Sequence, residues 1–250
     1  MRTTATAQFP GCGRCAYRTT GTPALCVSCV ARTNTIPADH CPVCCRPVAP
    51  AETCPNPLCG WGDRYIRRVE AVCLKTGPID RLLRDFKYGR VEVEWADIFG
   101  RLLFGWLAAH HDPRDYDLIV VNPTHESRKV RHTELMLAAA ARHDDARQWP
   151  FDRAEPAAIV KTHETPPSAF QPWRAKKVAA DRLRGALHIP DRSRIAGQRI
   201  LVIDDIATTM LQLNAIAGVL RMMGDARSVD GLVLARAVLG LKGRASGSSA

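Results

Sequence analysis

Aromatic residues are scarce, at 6% of the chain, and no apolar run approaches the roughly 20 residues that a membrane helix needs. The best candidate, Leu102–Ala109, is short and has charged neighbours. The opening stretch MRTTATAQFPGCGRC lacks the apolar segment of a signal peptide. The expectation is a cytoplasmic protein without a membrane partner. Acidic residues are also short: 25 Asp and Glu stand against 35 Lys and Arg, a net charge of +10. That balance points to an anionic partner without saying which. Cysteine is nearly absent from the later chain, since nine of the ten lie from Cys12 to Cys59. What remains, 46% hydrophobic and 24% charged residues over 250 positions, excludes disorder, collagen and coiled coil for the bulk of the chain.

The composition divides the chain. Residues 1–62 are rich in Cys, Pro, Gly and Thr and have little apolar periodicity, so a bound metal has to supply their stability. Residues 63–240 read as an α/β domain, and 241–250 as a disordered tail. Val69, Ala71 and Cys73 alternate as in a strand, and Ile79, Leu82, Leu83 and Phe86 follow at helical spacing up to Gly89. Trp95, Ile98, Phe99, Leu102, Leu103 and Trp106 mark the clearest amphipathic helix, with His110 and His111 at its end. Buried strands are expected at Leu118–Val121, Ile200–Ile203 and Val229–Ala235, and a short one at Ala158–Lys161. Helices are expected over Glu134–Arg142, Ala175–Leu183 and Leu211–Met223, the last capped by Gly224. Strands alternating with helices predict a mainly parallel sheet.

The cysteines fall in spaced pairs: Cys12 and Cys15, Cys26 and Cys29, Cys41 and Cys44, Cys54 and Cys59. Two thiolates three residues apart can reach one ion from a tight turn, and two such knuckles close a tetrahedral shell. Four pairs suit two structural Zn²⁺ ions in a double zinc ribbon, with Gly13 and Gly60 loosening the backbone. The pairing is sequential or cross-braced. Cys45 is a spare, Cys73 a core residue, and His40 is not expected to ligate. No spacing matches a ferredoxin cluster.

In RILVIDDIATTMLQLNAIAGVLRMMG a buried strand runs into Asp204-Asp205, a loop with two threonines, and a helix. Ligands of open α/β sheets bind at the carboxyl ends of strands, and a helix N-terminus offers backbone N–H groups to a phosphate. Two adjacent carboxylates can accept from ribose hydroxyls or hold hydrated Mg²⁺. A phosphorylated sugar fits this arrangement; the alternative is a solvated strand end before a capped helix.

The stretch ILVIDDIATT resembles the phosphoribosyl-pyrophosphate (PRPP) motif of type I phosphoribosyltransferases. IDRLLRDFKYGR, DLIVVNPT, KTHETPPSAFQPWRAKKVAADRLRGAL and LVLAR, together with the cysteine pairs, are similar to segments of the ComF family. These are competence-associated, phosphoribosyltransferase-like proteins with an N-terminal zinc ribbon. The resemblance implies a five-stranded parallel core flanked by helices, with a smaller hood. It implies that Asp204 and Asp205 contact the ribose, directly or through Mg²⁺ bound with PRPP. Ala207, Thr208, Thr209, Met210, Leu211 and Gln212 would form the 5′-phosphate loop. Asn122, Pro123 and Thr124 would approach the pyrophosphate, with Arg128 and Arg131 nearby, and residues 161–177, including Lys161 and Thr165, would form a mobile flap. Phosphoribosyl transfer to an acceptor is the implied activity, and no acceptor-base signature is present. The alternative is a non-catalytic adaptor that handles single-stranded DNA or a DNA-processing protein.

The sequence departs from the family pattern at several of these positions. Met210 stands where the family has glycine, Gln212 where it has threonine, Ser168 where it often has glutamine, and RHTE replaces R-G-F-N. Met210 adds bulk and restricts positive φ, so weaker phosphate binding is expected. Eight basic residues against two acidic ones from Arg174 to Arg199 predict an anion-attracting stretch beside the Asp204-Asp205 site.

Overall fold

Apolar runs too short for helices pair into the centre of this protein. The structure is a computed structural model and describes residues 36–87, 95–166 and 172–238. Cys12, Cys15, Cys26, Cys29, Gly89, Ser168 and the 241–250 tail lie outside the described residues. In chain order the elements are β1 (Val69–Leu74), α1 (Gly77–Lys87), α2 (Trp95–His110), β2 (Leu118–Val121), α3 (His132–Arg142), β3 (Val160–Lys161), α4 (Trp173–Ala186), β4 (Leu187–His188), β5 (Arg199–Ala207), α5 (Leu211–Met222) and β6 (Ser228–Arg236). Four strands make one parallel sheet in the order β1-β6-β5-β2. The other two form an antiparallel pair. Among the described residues no helix is long and apolar enough to cross a membrane.

Helices cover both faces of the sheet, as the alternating pattern predicts. Leu201, Ile203, Leu232 and Leu234 face α1, α2 and α3 and pack with Phe86, Phe99, Leu103 and Met136. Ile200, Val202, Val229 and Val233 face α4 and α5 and pack with Leu183, Ile216 and Leu220. Cys41, Cys44, Cys45 and Leu58 belong to this second cluster, so the cysteine segment is built onto the sheet's own core. The α2 stripe is buried as its period requires, and Gly100 lets that helix close on α3. A Cβ there would lie 2.4 Å from Ala139 Cβ.

Several expectations need correction. Among the described residues the sheet has four strands where the resemblance implied five. Phe151 makes only an isolated parallel bridge to Ile119, because the chain turns away at once. The Asp152 carboxylate accepts from the N–H groups of Ala154 and Ala158 and holds that turn. The strand expected over Ala158–Lys161 shrinks to Val160–Lys161 and pairs antiparallel with β4, outside the main sheet. β5 does not stop at Ile203 but runs to Ala207, since Asp204 continues the ladder opposite Val233. Backbone pairing is indifferent to the side chain that a residue carries.

Two glycines also act differently. Gly224 does follow α5, but the left-handed residue is Asp225, at φ 62. Gly224 is needed for space: a Cβ would sit 2.3 Å from Ile195 Cγ2 and 2.7 Å from the Leu220 carbonyl. Gly60 is not left-handed, and in the first described knuckle that conformation falls to Cys45, at φ 53.

The basic stretch does not form one patch at the site. Arg199 opens β5, roughly 17 Å before Asp204 at about 3.3 Å per residue. It pairs with Asp117, and Arg194 and Arg192 pair with Asp152 and Asp225. Arg174, Lys176, Lys177, Arg182 and Arg184 ride on α4.

Candidate functional site

β2 and β5 are neighbours, yet the helices that follow them leave to opposite faces, α3 to one and α5 to the other. Such a reversal opens a crevice at the carboxyl ends of the two strands, where open α/β sheets bind ligands. Asn122, just past β2, and Asp204, in β5, meet across it: Asn122 Nδ2 donates to Asp204 Oδ2 at 3.1 Å.

The two carboxylates are both buried. Successive strand residues point to opposite sides, so each meets different neighbours. Asp205 receives Lys87 Nζ from the end of α1 at 2.9 Å, and His132 Nε2 from the start of α3 lies 3.3 Å away. Burial works to raise the Asp205 pKa, but the Lys87 charge and the His132 hydrogen bond outweigh it and hold the carboxyl below its usual range. Asp204 is pushed the other way, first by burial and then by the charge of Asp205. Asn122 and the N–H of Asp205 are its hydrogen-bond donors. One carboxylate is thus a firm anion and its neighbour is easily protonated.

The loop after β5 is held from behind. Arg236 Nη1 donates to the carbonyls of Ala207 and Thr208 at 2.8 and 2.5 Å, and Asn56 Nδ2 reaches that of Thr209 at 3.4 Å. In a trans peptide the C=O and the following N–H point in opposite directions. Fixing three successive carbonyls on Arg236 and Asn56 therefore turns the N–H groups of Thr208, Thr209 and Met210 away from those two side chains. Met210 then caps α5 in the left-handed conformation, φ 63 and ψ 4, with its side chain buried in the core. The conformation that glycine would favour is kept despite the methionine, and its bulk goes inward. Leu211 is buried and lines a recess of about 330 Å³ with Trp61, Tyr65, Lys177, Arg184 and Asn214. Gln212 is half-buried on the first turn of α5.

The turn Asn122-Pro123-Thr124 is anchored by α3. Thr133 Oγ1 donates to the Asn122 carbonyl at 2.9 Å, and the Thr124 N–H donates to Glu134 Oε1 at 2.7 Å. Ser127 Oγ donates to Glu164 at 2.6 Å and so ties the stretch after the turn to the one after β3, within which Lys161 Nζ donates to Thr165 at 2.7 Å. Burial, then the charge of Arg128, lowers the Lys161 pKa. Arg128 itself is exposed, and Arg131 reaches Glu134.

Cys41, Cys44, Cys54 and Cys59 converge with all four sulfurs within 4.8 Å of one another. Neighbouring Sγ···Sγ distances are 3.7 to 3.8 Å. A tetrahedron with metal–sulfur bonds of about 2.3 Å has edges of about 3.8 Å, so the cluster fits zinc, and the contacts are far too long for disulfides. The knuckle pairs adjacent in sequence share one site. Cys44 is held well below the usual thiol value by its hydrogen bond to Cys59 and, against the cost of burial, by Arg236. A closed shell of four thiolates leaves the metal a structural role. Cys45 and His40 stay outside the cluster. Cys73 is a core residue whose thiol donates to the Leu234 carbonyl.

Sequence reasoning missed Lys87, His132, Asn56 and Arg236 as parts of this region. Lys87 and Arg236 lie in segments that carry the family resemblance, but spacing does not say what either one touches. Neither a protein-family model nor a curated protein matches the chain.

Proposed function

We propose that the chain binds PRPP with Mg²⁺, or a related phosphorylated ribose, in the crevice between β2 and β5. The observation that carries this reading is the Asp204-Asp205 pair followed by a loop whose carbonyls Arg236 and Asn56 hold, ending at a helix N-terminus. Ribose hydroxyls would donate to the carboxylates in exchange for Asn122 and Lys87. The 5′-phosphate would accept from the N–H groups of Thr208, Thr209 and Met210, in a site favoured by the α5 dipole. Lys161 and Arg128 would receive the pyrophosphate beside Thr124. Bound Mg²⁺ would neutralise charge on the pyrophosphate oxygens. In transfer, the bond from the anomeric carbon to pyrophosphate breaks and an acceptor lone pair forms the new bond. Charge stabilisation of the departing group is the main contribution asked of the protein.

Calorimetric titration with PRPP and Mg²⁺ tests this reading. Binding that disappears in Asp204→Asn, with folding intact, is the expected result. No binding at millimolar PRPP defeats it.

A second reading is favoured by the recess beside Leu211. Trp61 stands edge-on to Trp173 with Lys177 over its ring, and Arg184 covers Tyr65. Aromatic rings interleaved with cations suit the bases and backbone of single-stranded DNA. In this reading the protein is a non-catalytic adaptor in DNA handling. It predicts binding that weakens steeply with salt and is lost in Trp61→Ala.

A further inference from the structure

We propose that Arg236 is the counter-ion of the Cys41–Cys44–Cys54–Cys59 metal centre and the strut that ties metal occupancy to the Ala207–Met210 loop. The inference does not rest on the identity of the ligand that the loop takes.

The Arg236 side chain is fully buried at the end of β6. Its Nε donates to the Cys44 carbonyl at 2.6 Å, and Nη2 lies 3.5 Å from Cys44 Sγ. Nη1 holds the carbonyls of Ala207, Thr208 and Ala237. Among the described residues no carboxylate pairs with it. A guanidinium keeps its charge in proteins, and a buried charge needs an opposite one. Four thiolates around one Zn²⁺ carry excess negative charge, and the Cys44 sulfur is already in contact. The thiolate cluster of the metal centre is therefore the opposite charge that the buried Arg236 touches.

One planar fork thus grips a metal ligand's residue on one side and two loop carbonyls on the other. Asn56 makes a parallel link. It lies between Cys54 and Cys59, accepts from the Leu58 N–H and donates to the Thr209 carbonyl. Loss of the metal frees both knuckles, and with them the carbonyl contacts that aim the N–H groups of Thr208, Thr209 and Met210. By linkage, an anion held by those groups raises metal affinity in return.

The test uses the full chain. Metal affinity is measured by chelator competition, and amide hydrogen exchange is followed in the metal-loaded and metal-stripped protein. Stripping is expected to speed exchange at Ala237 and Asn214, whose N–H groups donate to the Ala207 and Met210 carbonyls of the loop, at least about tenfold, while Val120 in β2 stays protected. Arg236→Gln should weaken one bound ion by roughly 10- to 100-fold, as loss of a group supporting a metal ligand does. It should also leave loop exchange at the stripped level whether or not metal is present. Arg236→Lys, which keeps the charge without the fork, should recover part of the metal affinity but not the loop's response. The proposal is overturned if stripping the unaltered chain leaves the loop unchanged or unprotects β2 equally. It is also overturned if Arg236→Gln keeps full affinity for every bound ion, or if the chain binds no metal. PRPP titration of the loaded protein reads the ligand proposal separately.

Discussion

Lys87, the last residue of α1, donates to both carboxylate oxygens of Asp205, at 3.3 and 2.9 Å. Asp205 is almost wholly buried whereas the Lys87 side chain is 33% exposed, so the two partners do not lose equally when the pair is broken.

Removing the lysine strands a buried anion, and removing the aspartate leaves a cation that can turn to water. Lys87→Met should destabilise the fold by about 2 kcal/mol. This is below the ~3–5 kcal/mol of a fully buried pair because His132 remains and water reaches the lysine. Asp205→Asn should cost less. Urea denaturation of both variants checks the order, and a larger loss from Asp205→Asn would refute it.

The paired carboxylates impose opposite pH dependences. The depressed Asp205 contributes stability that is full above its unfolded value of about 3.9 and is lost as pH falls below it. Asp204, raised by burial and by Asp205, takes up a proton in the folded chain that the unfolded chain releases. Its contribution falls as pH rises from about 4 through its elevated pKa. Asp204→Asn should therefore be more stable than the parent at pH 8, with the advantage vanishing near pH 4. Thermal melts across that range measure it, and a pH-independent difference would contradict the assignment.

Met210 pays for a left-handed turn with its own backbone and gains from burial. Met210→Gly relieves about 1 kcal/mol of strain but forfeits about 2–5 kcal/mol of packing. A net loss of about 1–4 kcal/mol is expected. Met210→Ala should be about 1 kcal/mol worse still, because it keeps the strain. Glycine outranking alanine here reverses the order of helix interiors, and chemical denaturation shows whether it does.

Gly100→Ala should destabilise by about 1–3 kcal/mol despite alanine's better helix propensity. The new methyl would meet Ala139 Cβ at 2.4 Å and Ala140 N at 2.6 Å, forcing α2 from α3. A variant as stable as the parent would show that the two helices can part freely.

Local pattern alone determined much of this protein. The α2 stripe, the LIVV run of β2 and the helix after Thr209 follow from periodicity, which records one face's burial whatever that face meets. The spacing of Cys41, Cys44, Cys54 and Cys59 likewise marked them as metal ligands, while the fold decided that these two pairs share one site. Tertiary structure decided what the side chains touch. Asp204 and Asp205 were legible as a candidate site, but not as strand residues with Asn122 on one and Lys87 and His132 on the other. The basic run from Arg174 to Arg199 looked like one patch, and the fold spread it along α4 and the far end of β5. The contacts of Arg236 were unreadable, because its partners, Cys44 and the Ala207 loop, are distant in sequence. Periodicity reports burial residue by residue, whereas charge pairing depends on which strands become neighbours, and only the crossover connections of the sheet set that.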